Sequence, residues 1–506
     1  MSPDQPAPAS AHGPATLLIR AARVITPAGV IPAEVAITAG KIISVTALHG
    51  RTAVPAEPRS VGAAGAAARP PTPCEDSSQV VELRHDEILL PGLVDTHVHV
   101  NEPGRTHWEG FPTATAAAAA GGVTTIIDMP LNSIPPTTDV AALDVKRRAA
   151  AGRCHCDVGF WAGAVADNEK DRPGLHEAGV FGFKCFMVDS GVPEFAPLDD
   201  GALAAAVRQV AGLGSLLVVH AEDAAEIAAA PAAAGPGYDG FLRSRPAAAE
   251  VAAIARLIEL AERSGARVHV LHLSAADAVP LVAAAQSRGV AITAETCPHY
   301  LCLTAEQVGQ GQTQFKCCPP IRDAANADRL WEALAAGVIG CVVSDHSPCP
   351  PELKGLDAGD FGAAWGGISS VQLGLPAVWT AARERGIGLR EVAGWMSSAP
   401  ARLAGLGAKG AITAGRDADL VAFAPDEEFV VDPDRLLTRH RLTPYAGRRL
   451  TGVVRRTWLR GQPVGPGRPA GRLLRAAGAG PLPAGPSPAG SSAGPLSGGP
   501  SPAGPS

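Results

Sequence analysis

The sequence predicts an α/β fold in which a (β/α)8 TIM barrel carries a small discontinuous β-sandwich domain. Three observations lead to this prediction. Apolar strand-like runs alternate with Ala- and Leu-rich helical stretches across residues 88–405, and short β-type runs lie both before and after that region. Nearly continuous apolar strands separated by helices indicate a parallel sheet covered by helices. Eight such units over ~250 residues are typical of a closed barrel.

Eight runs are the candidate barrel strands: 88–100, 122–130, 157–165, 179–188, 215–220, 267–274, 291–296 and 338–344. Helical stretches separate most of them, and those at 113–120, 247–264 and 275–287 end at or shortly before a glycine. Glycine commonly ends a helix because it adopts left-handed backbone without steric cost. An open doubly wound sheet is the competing topology. In such a sheet, however, the ends of distant strands do not surround a common centre, whereas metal-ligand-type residues occur here at the ends of several strands.

The flanking domain is predicted from short β-type runs at 17–19, 24–25, 35–37, 40–43 and 80–83, and at 410–413, 418–423, 429–431 and 453–454. Residues 15–87 and 406–464 are therefore assigned to one small β-sandwich domain. The Ala/Pro/Gly-rich stretch 53–73 is predicted to be a loop insertion. Residues 1–14 and 465–506 are poor in large apolar side chains, so both ends are predicted to be disordered.

Composition narrows the classes of function. The 506 residues are 46% hydrophobic, which is ample for a large core and more than one domain. The net charge of −6 gives no basic field, so we expect no nucleic-acid partner and no membrane partner. Residues 1–14 lack the apolar stretch of a secretory signal, and no run is long enough to span a bilayer. The ten cysteines show no paired C-x-x-C spacing, and we expect a reduced, cytoplasmic protein.

The first candidate barrel strand ends in His97-Val98-His99. Residues i and i+2 of a strand share one face, so the two imidazoles point into the same space. Two neutral imidazoles in an apolar place are costly unless a partner accepts their lone pairs, and a divalent metal is the natural acceptor. A hydrogen-bonded pair in the core is the alternative for this motif taken alone.

Further ligand-type residues follow other candidate strands. Lys184 lies near the end of strand four, His220 ends strand five, and Asp345 follows strand eight. Strand six contains His269 and His272, which differ in parity; a regular strand would point only one inward, and His272 is nearer the strand end. Barrel enzymes build their sites where the strands end, so these residues are expected to converge.

The lysine fits such a cluster only as an anion. Taken alone, it would extend its ammonium to water. Desolvation, however, favours the neutral amine, and a neutral amine can react with carbon dioxide to form a carbamate. That group has two oxygens, which could bridge two metals ~3.5–4 Å apart that share one hydroxide. A polar barrel mouth without metal is the alternative, but it would leave many buried groups unsatisfied.

These residues resemble the cyclic amidohydrolases of the amidohydrolase superfamily, and the resemblance extends over roughly residues 17–454. The family pattern is an HxH motif, a carboxylated lysine, two further histidines and an aspartate, which correspond here to His97, His99, Lys184, His220, His272 and Asp345. The resemblance implies a (β/α)8 barrel that binds two divalent metal ions. Zinc is the expected metal, and manganese, cobalt and iron are the alternatives. It implies N6-carboxylysine at position 184, a metal-bridging hydroxide as nucleophile, and Asp345 as both metal ligand and catalytic base. It also implies a homo-oligomer, in particular a homotetramer.

Within that family, three segments resemble the branch that hydrolyses allantoin to allantoate in purine degradation: 97–105, 128–136, and 344–352 followed by 364–368. Dihydroorotases carry Arg at the position of Asn101, where their substrate has a carboxylate, and allantoin has none. Hydantoinases and dihydropyrimidinases carry a Tyr soon after the lysine, where this chain has Val188-Asp189-Ser190. The resemblance implies substrate contacts from Asn101, Asn132, Cys318, Gly366 and Gly367.

Two further readings remain open at this point. One is hydrolysis of a different cyclic amide, as in hydantoinases, dihydropyrimidinases or dihydroorotases. The other is a non-catalytic oligomeric scaffold. The complete set of six ligand-type residues disfavours the scaffold, since such relatives usually have broken ligand sets.

Overall fold

The computed structural model describes residues 16–48, 79–465, 467 and 469–477. The predictions for 1–14, for the insertion 53–73 and for residues 478–506 of the tail fall outside these residues. Within them the chain is α/β, as predicted. Parallel strands with intervening helices form one part, and a mostly antiparallel sheet drawn from both ends of the chain forms the other. No described helix is long and apolar enough to cross a membrane.

The strands that carry the predicted barrel pattern are parallel throughout. They are β6 (Leu93–Val98), β7 (Val123–Asp128), β8 (Asp157–Phe160), β9 (Ala162–Gly163), β10 (Phe183–Phe186), β11 (Leu216–His220), β12 (Arg267–Val270), β13 (Ile292–Thr296) and β14 (Cys341–Val342). They form two parallel sheets that each follow chain order, β6 to β8 and β9 to β14, and only Trp161 separates β8 from β9 along the chain. A parallel bridge between Val98 and His346 joins the ends of the first and last members.

Helices connect these strands and cover them. They are α1 (Phe111–Ala120), α2 (Val140–Ala150), α3 (Arg172–Glu177), α4 (Asp200–Gly212), α5 (Ala224–Ala229), α6 (Tyr238–Ser244), α7 (Ala247–Ser264), α8 (Val279–Ser287), α9 (Pro298–Cys302), α10 (Ala324–Ala335), α11 (Pro351–Lys354), α12 (Gly374–Glu384), α13 (Leu389–Ala393) and α14 (Ala399–Leu403). Asp139, Asp199 and Asp323 cap α2, α4 and α10 by accepting a backbone N–H of the first turn. Gly265 ends α7 with a left-handed φ of 67°, as its sequence predicts.

The other sheet contains β1 (Leu17–Thr26), β2 (Gly29–Thr38), β3 (Lys41–Ala47), β4 (Gln79–Glu82), β5 (Ile88–Pro91), β15 (Leu420–Val430), β16 (Arg449–Leu459) and β17 (Gln462–Pro463). N- and C-terminal segments share this sheet, because β15 pairs with β5, which pairs with β1. The described strands form one eight-stranded sheet, however, and not the two sheets expected of a sandwich. Residues 410–413 form no strand; Ile412 is buried there as a loop residue in the apolar core of this sheet.

The first predicted barrel strand is in fact two strands. Residues 88–91 belong to the antiparallel sheet as β5, and only β6 joins the parallel set. The break is at Gly92, where a Cβ would lie 2.3 Å from the Thr124 hydroxyl. The domain boundary predicted at residue 88 therefore lies at Gly92. An uninterrupted apolar run does not reveal this, because both strands are fully buried.

A buried group of charges joins the two parts of the molecule. The Lys409 ammonium lies 2.6 Å from Asp157 at the start of β8, 2.7 Å from Asp419 and 2.9 Å from Asp417. Arg460 donates two hydrogen bonds to the same Asp157 carboxylate. Removing one member of such a group leaves another charge buried and unpaired, which is strongly destabilising. The relative placement of sheet and parallel strands is thus specified by ion pairing as well as by apolar packing.

The prediction that 465–506 is disordered is wrong for residues 469–477. This segment lies beside β8: the Val158 N–H donates to the Arg472 carbonyl, and the Leu474 N–H donates to the Val158 carbonyl. Leu474 packs against the apolar cluster that includes Trp161. The low-complexity composition of the tail gave no signal for this segment. Its apolar side chains and one closely packed glycine accompany its pairing with β8. A Cβ on Gly471 would lie 1.9 Å from the Cys156 carbonyl oxygen.

We predict that Gly471→Ala releases this segment from β8. The new methyl group would overlap backbone, and such overpacking costs about 1–3 kcal/mol, which raises the locally open population roughly 5- to 150-fold. Trypsin cleavage after Arg472 and Arg475, read by mass spectrometry, should accelerate at least about fivefold. Gly465→Ala is the matched control, because no atom lies within 4 Å of its added Cβ. Equal cleavage rates in all three proteins would contradict the assigned pairing.

Candidate metal centre

Six residues converge where the parallel strands end. His97 lies within β6 and His99 directly after it, Lys184 lies within β10, and His220 is the last residue of β11. His272 and Asp345 follow β12 and β14 by two and three residues. The ring centroids of His97 lie 5.5 Å from His99 and 5.3 Å from His272, and His220 lies 4.5 Å from His272. The structure thus brings together all four histidines that the sequence predicted as ligands.

Asp345 lies beside the HxH pair. Its Oδ1 is 3.2 Å from His97 Nε2 and 3.6 Å from His99 Nε2. These three side chains place one ligand atom each within 4.8 Å of one another, which is close enough to hold a metal ion. Burial raises the pKa of the Asp345 carboxyl well above its usual value. Without a cation, this carboxyl would therefore favour its protonated form.

Lys184 is buried at the same place. Its Nζ lies 4.9 Å from the ring centre of Phe186. Burial lowers the pKa of the ammonium, so the neutral amine becomes accessible. A lysine that extended its charge to water would be exposed, but Lys184 is only 1% exposed. The sequence prediction of an inward, desolvated lysine agrees with this placement.

Three of the imidazoles have a ring nitrogen that is available to bind a metal ion. Nε2 of His97, Nδ1 of His99 and Nδ1 of His272 are buried and have no hydrogen-bond partner among the described residues. Burial lowers the pKa of all three rings well below the usual value, so they are neutral and carry a lone pair. Buried polar atoms are rarely left without a partner. Neutral imidazoles grouped with the Asp345 carboxylate, which lies 3.2 Å from His97 Nε2, match the donor set of a divalent transition metal.

Strained backbone is concentrated at the same strand ends. Of the six described non-glycine residues with positive φ, four lie here: His272 (37°), Asp345 (42°), Asn132 (61°) and Asn101 (64°). Such conformations persist only where the surroundings enforce them, and they cluster at functional sites. The left-handed turn at His272 also explains why strand parity failed in this region. β12 ends at Val270, and His269 and His272 both reach the interior.

Two carboxylates that the sequence analysis did not single out contact imidazoles of the predicted ligand set. Glu222 Oε2 lies 2.7 Å from His220 Nε2, and Glu295 Oε1 lies 2.6 Å from His97 Nδ1. Burial acts to raise the pKa of Glu222, but the charge of Arg245 and the bond to His220 outweigh it and lower the pKa to about 2. Both had a signal in the sequence: Glu222 follows His220 by two residues, and Glu295 is the one charged residue in the predicted strand 291–296.

A cavity of about 280 Å³ opens above this cluster. Four of the predicted substrate contacts line it together with Lys184 and Asp345: Asn132, Cys318, Gly366 and Gly367. Asn101, the fifth, is not part of the lining. It is 1% exposed, and its amide donates to the Pro348 carbonyl at 3.1 Å, so it holds the loop after β14. Arg245, Lys316 and Trp365 also line the cavity and were not predicted.

Two buried lysines hold the glycine pair of the cavity wall. Lys354 Nζ donates to the carbonyls of Lys316 and Gly367, and Lys316 Nζ donates to the carbonyls of Gly362 and Ala364. Gly367 itself has φ of 129°, and a Cβ there would lie 2.2 Å from the Ser347 carbonyl oxygen. The wall can therefore present backbone, and not side chains, to a bound ring.

Comparison with known proteins agrees with this geometry. Residues 88–464 match the amidohydrolase family. The allantoinase of Streptomyces avermitilis is 56% identical over 462 residues, covering 90% of this chain and 98% of that protein. The allantoinase of Saccharomyces cerevisiae is 48% identical over 382 residues, covering 74% and 82%.

Solved structures give the same result at the level of the fold. The L-hydantoinase (dihydropyrimidinase) from Arthrobacter aurescens matches with a TM-score of 0.78 and 29% identity, covering 91% of this chain and 98% of that one. The family match covers the parallel strands and the C-terminal part of the antiparallel sheet. The chain therefore belongs to the amidohydrolase family and, within it, to the allantoinases.

Proposed function

We propose that this protein hydrolyses the ring amide of allantoin to give allantoate. We also propose that its parallel strands form a (β/α)8 barrel. The main support for the proposal is the cluster of neutral imidazoles with free lone pairs beside Asp345 and Lys184. This cluster lies at the base of a cavity of about 280 Å³, which is large enough for a small cyclic amide. Similarity to allantoinases at 56% and 48% identity supports allantoin over other cyclic amides. The cytoplasmic location and the homotetramer stay predictions.

The residues that would hold two divalent metal ions, with zinc as the proposed metal, are His97, His99, Lys184, His220, His272 and Asp345. Imidazole and carboxylate ligands of this kind suit zinc, while manganese, cobalt and iron remain alternatives. When bound, the metal ions supply Lewis-acid chemistry, because they polarise a carbonyl and make water nucleophilic near neutral pH. The remaining steps depend on the protein's own side chains.

Lys184 is proposed to act as a carbamate. Its Nζ forms a bond to the carbon of carbon dioxide, and one amine proton leaves to water, so that a neutral amine becomes an anion with two oxygens. Burial among Phe186 and other apolar neighbours supports this step, because it removes the stabilisation that water gives the ammonium. The anion supplies the negative charge that a pair of cations needs.

Asp345 is proposed to move the proton. Its carboxylate accepts a proton from the attacking water as the new C–O bond forms at the ring carbonyl. It then donates that proton to the ring nitrogen as the C–N bond breaks. Its place beside His97 and His99 and within the cavity lining supports this role. The pair Gly366-Gly367 and Cys318 are proposed to contact the ring, and Asn132 the rest of the substrate.

The substrate assignment predicts a clear preference among cyclic amides. With metal-loaded protein, kcat/KM for allantoin should exceed that for hydantoin, dihydrouracil and dihydroorotate by on the order of 100-fold. Allantoate formation and ring opening of the other three compounds would be followed side by side. A preference for hydantoin or dihydrouracil would instead favour the hydantoinase alternative, and metal-loaded protein inactive on all four would favour the scaffold.

We predict that Asp345→Asn keeps the fold but lowers kcat by roughly 100- to 10,000-fold, because an amide cannot carry the proton. Allantoate release and metal content would be measured on the same sample. Asp328→Asn, which changes an exposed carboxylate paired with Arg385, is the control and should behave as wild type. Near-normal turnover in the Asp345 variant would rule out its role as the base.

We predict that Lys184→Ala binds roughly half of the wild-type metal or less, since an anionic ligand is lost. Protein loaded in the presence of ¹³C-bicarbonate should show a carbamate carbon by NMR, and the variant should lack it. Lys41→Ala, which removes an exposed amine, should keep the signal. Unchanged metal content together with an unchanged signal in Lys184→Ala would refute carboxylation at this position.

A further inference from the structure

We propose that Glu295 is the positioning residue of the metal centre, fixing the tautomer of His97 and the backbone of His272 together, with His269 as its support. The proposal rests on the metal centre described under the proposed function. Glu295 lies in β13 and is 1% exposed. It does not line the cavity, so it acts on substrate only through the ligands that it holds.

The contact with His97 determines which ring nitrogen faces the site. Glu295 Oε1 lies 2.6 Å from His97 Nδ1. A carboxylate only accepts hydrogen bonds, so Nδ1 carries the proton and Nε2 carries the lone pair. Nε2 is the atom that lies 3.2 Å from Asp345 and has no hydrogen-bond partner among the described residues. Glu295 therefore turns the lone pair of His97 towards the proposed metal.

The same oxygen also holds the backbone of a second ligand. The His272 N–H donates to Glu295 Oε1 at 3.2 Å. His272 is the residue whose φ is 37°, a strained conformation for a side chain of this size. The hydrogen bond stabilises that turn, and the turn brings the His272 ring to 5.3 Å from His97. One carboxylate thus sets the geometry of two predicted ligands from different strands.

His269 supports the second oxygen. Its Nε2 lies 3.0 Å from Glu295 Oε2, and its Nδ1 lies 2.7 Å from the Thr293 hydroxyl. Since Glu295 accepts, His269 Nε2 donates and Nδ1 accepts from Thr293. Both nitrogens of His269 are engaged, so its closeness to Cys341 does not make a second metal site. The chain Thr293–His269–Glu295–His97 leaves the carboxylate little freedom to rotate.

Charge distinguishes Glu295 from the similar residue Glu222. Glu222 holds His220 by Nε2, and Arg245 balances its charge with two hydrogen bonds. Among the described residues, Glu295 has hydrogen bonds to the neutral imidazoles of His97 and His269, and no lysine or arginine lies within ion-pair distance of it. A buried carboxylate without a cationic partner favours cations placed close by. Glu295 therefore contributes to metal affinity through charge as well as through orientation.

The test compares metal affinity in Glu295→Gln and in a matched control. Zinc dissociation constants would be measured by chelator competition on the full chain, and the d–d absorption bands would be recorded after cobalt loading. Glu295→Gln should weaken zinc binding by roughly 10- to 100-fold, and it should alter the cobalt bands because His97 can take the other tautomer. Glu250→Gln is the control, since Glu250 is equally buried and binds backbone N–H groups and Arg322 but no ligand ring.

The outcomes separate this proposal from the one on which it depends. If the wild-type protein binds no zinc, the proposed metal centre itself fails. If wild type binds zinc and Glu295→Gln matches it in affinity and in cobalt bands, the positioning role is refuted. Glu295→Asp serves as a second test if the glutamine variant does not fold. It keeps the negative charge, but its shorter side chain does not reach His97 as closely. It should show intermediate zinc affinity, and a wild-type value there would likewise count against Glu295.

Discussion

Removal of water from a group of ligand side chains is the constraint on which this structure depends. His97, His99, Lys184, His272 and Asp345 are all at most 6% exposed. Burial lowers the pKa of the three imidazoles and of the lysine and raises the pKa of the aspartate, so every group is pushed towards its neutral form. A buried cluster of neutral electron-pair donors is costly unless cations accept their lone pairs. The proposed metal ions, carbamate and base are three consequences of that one condition.

The backbone around the cluster is arranged to keep it in place. Positive φ at Asn101, Asn132, His272 and Asp345 turns the chain sharply as it leaves the parallel strands. Three of these four turns are held by a partner from elsewhere in the chain: Asn101 donates to Pro348, Glu295 accepts from His272, and the Arg105 guanidinium donates to the carbonyl of Asn132. Strain at these ends is therefore sustained by contacts between loops, which explains why distant segments matter for a site made of strand ends.

The rest of the molecule supports the strands from the opposite side. The ion group around Lys409 ties the antiparallel sheet to β8, and residues 469–477 add a short parallel pairing to the same strand. β8 is thus held by β7, by the C-terminal segment and by buried charge at once. Rigid supporting elements of this kind are what allow a site to be held to a fraction of an ångström.

The sequence by itself determined the alternation of strands and helices, the shared N- and C-terminal domain, and the six ligand candidates. It could do so because hydrophobic periodicity is local, and because His, Lys and Asp are conspicuous at the ends of apolar runs. The sequence did not reveal the boundary between the two sheets at Gly92 or the pairing of residues 469–477 with β8. Composition does not show which neighbour a short segment contacts. Only the tertiary structure decided that Glu295 lies behind His97, 198 residues away, and that His269 faces inward with His272. Those facts depend on strand order and on one left-handed turn, and neither leaves a periodic trace in the chain.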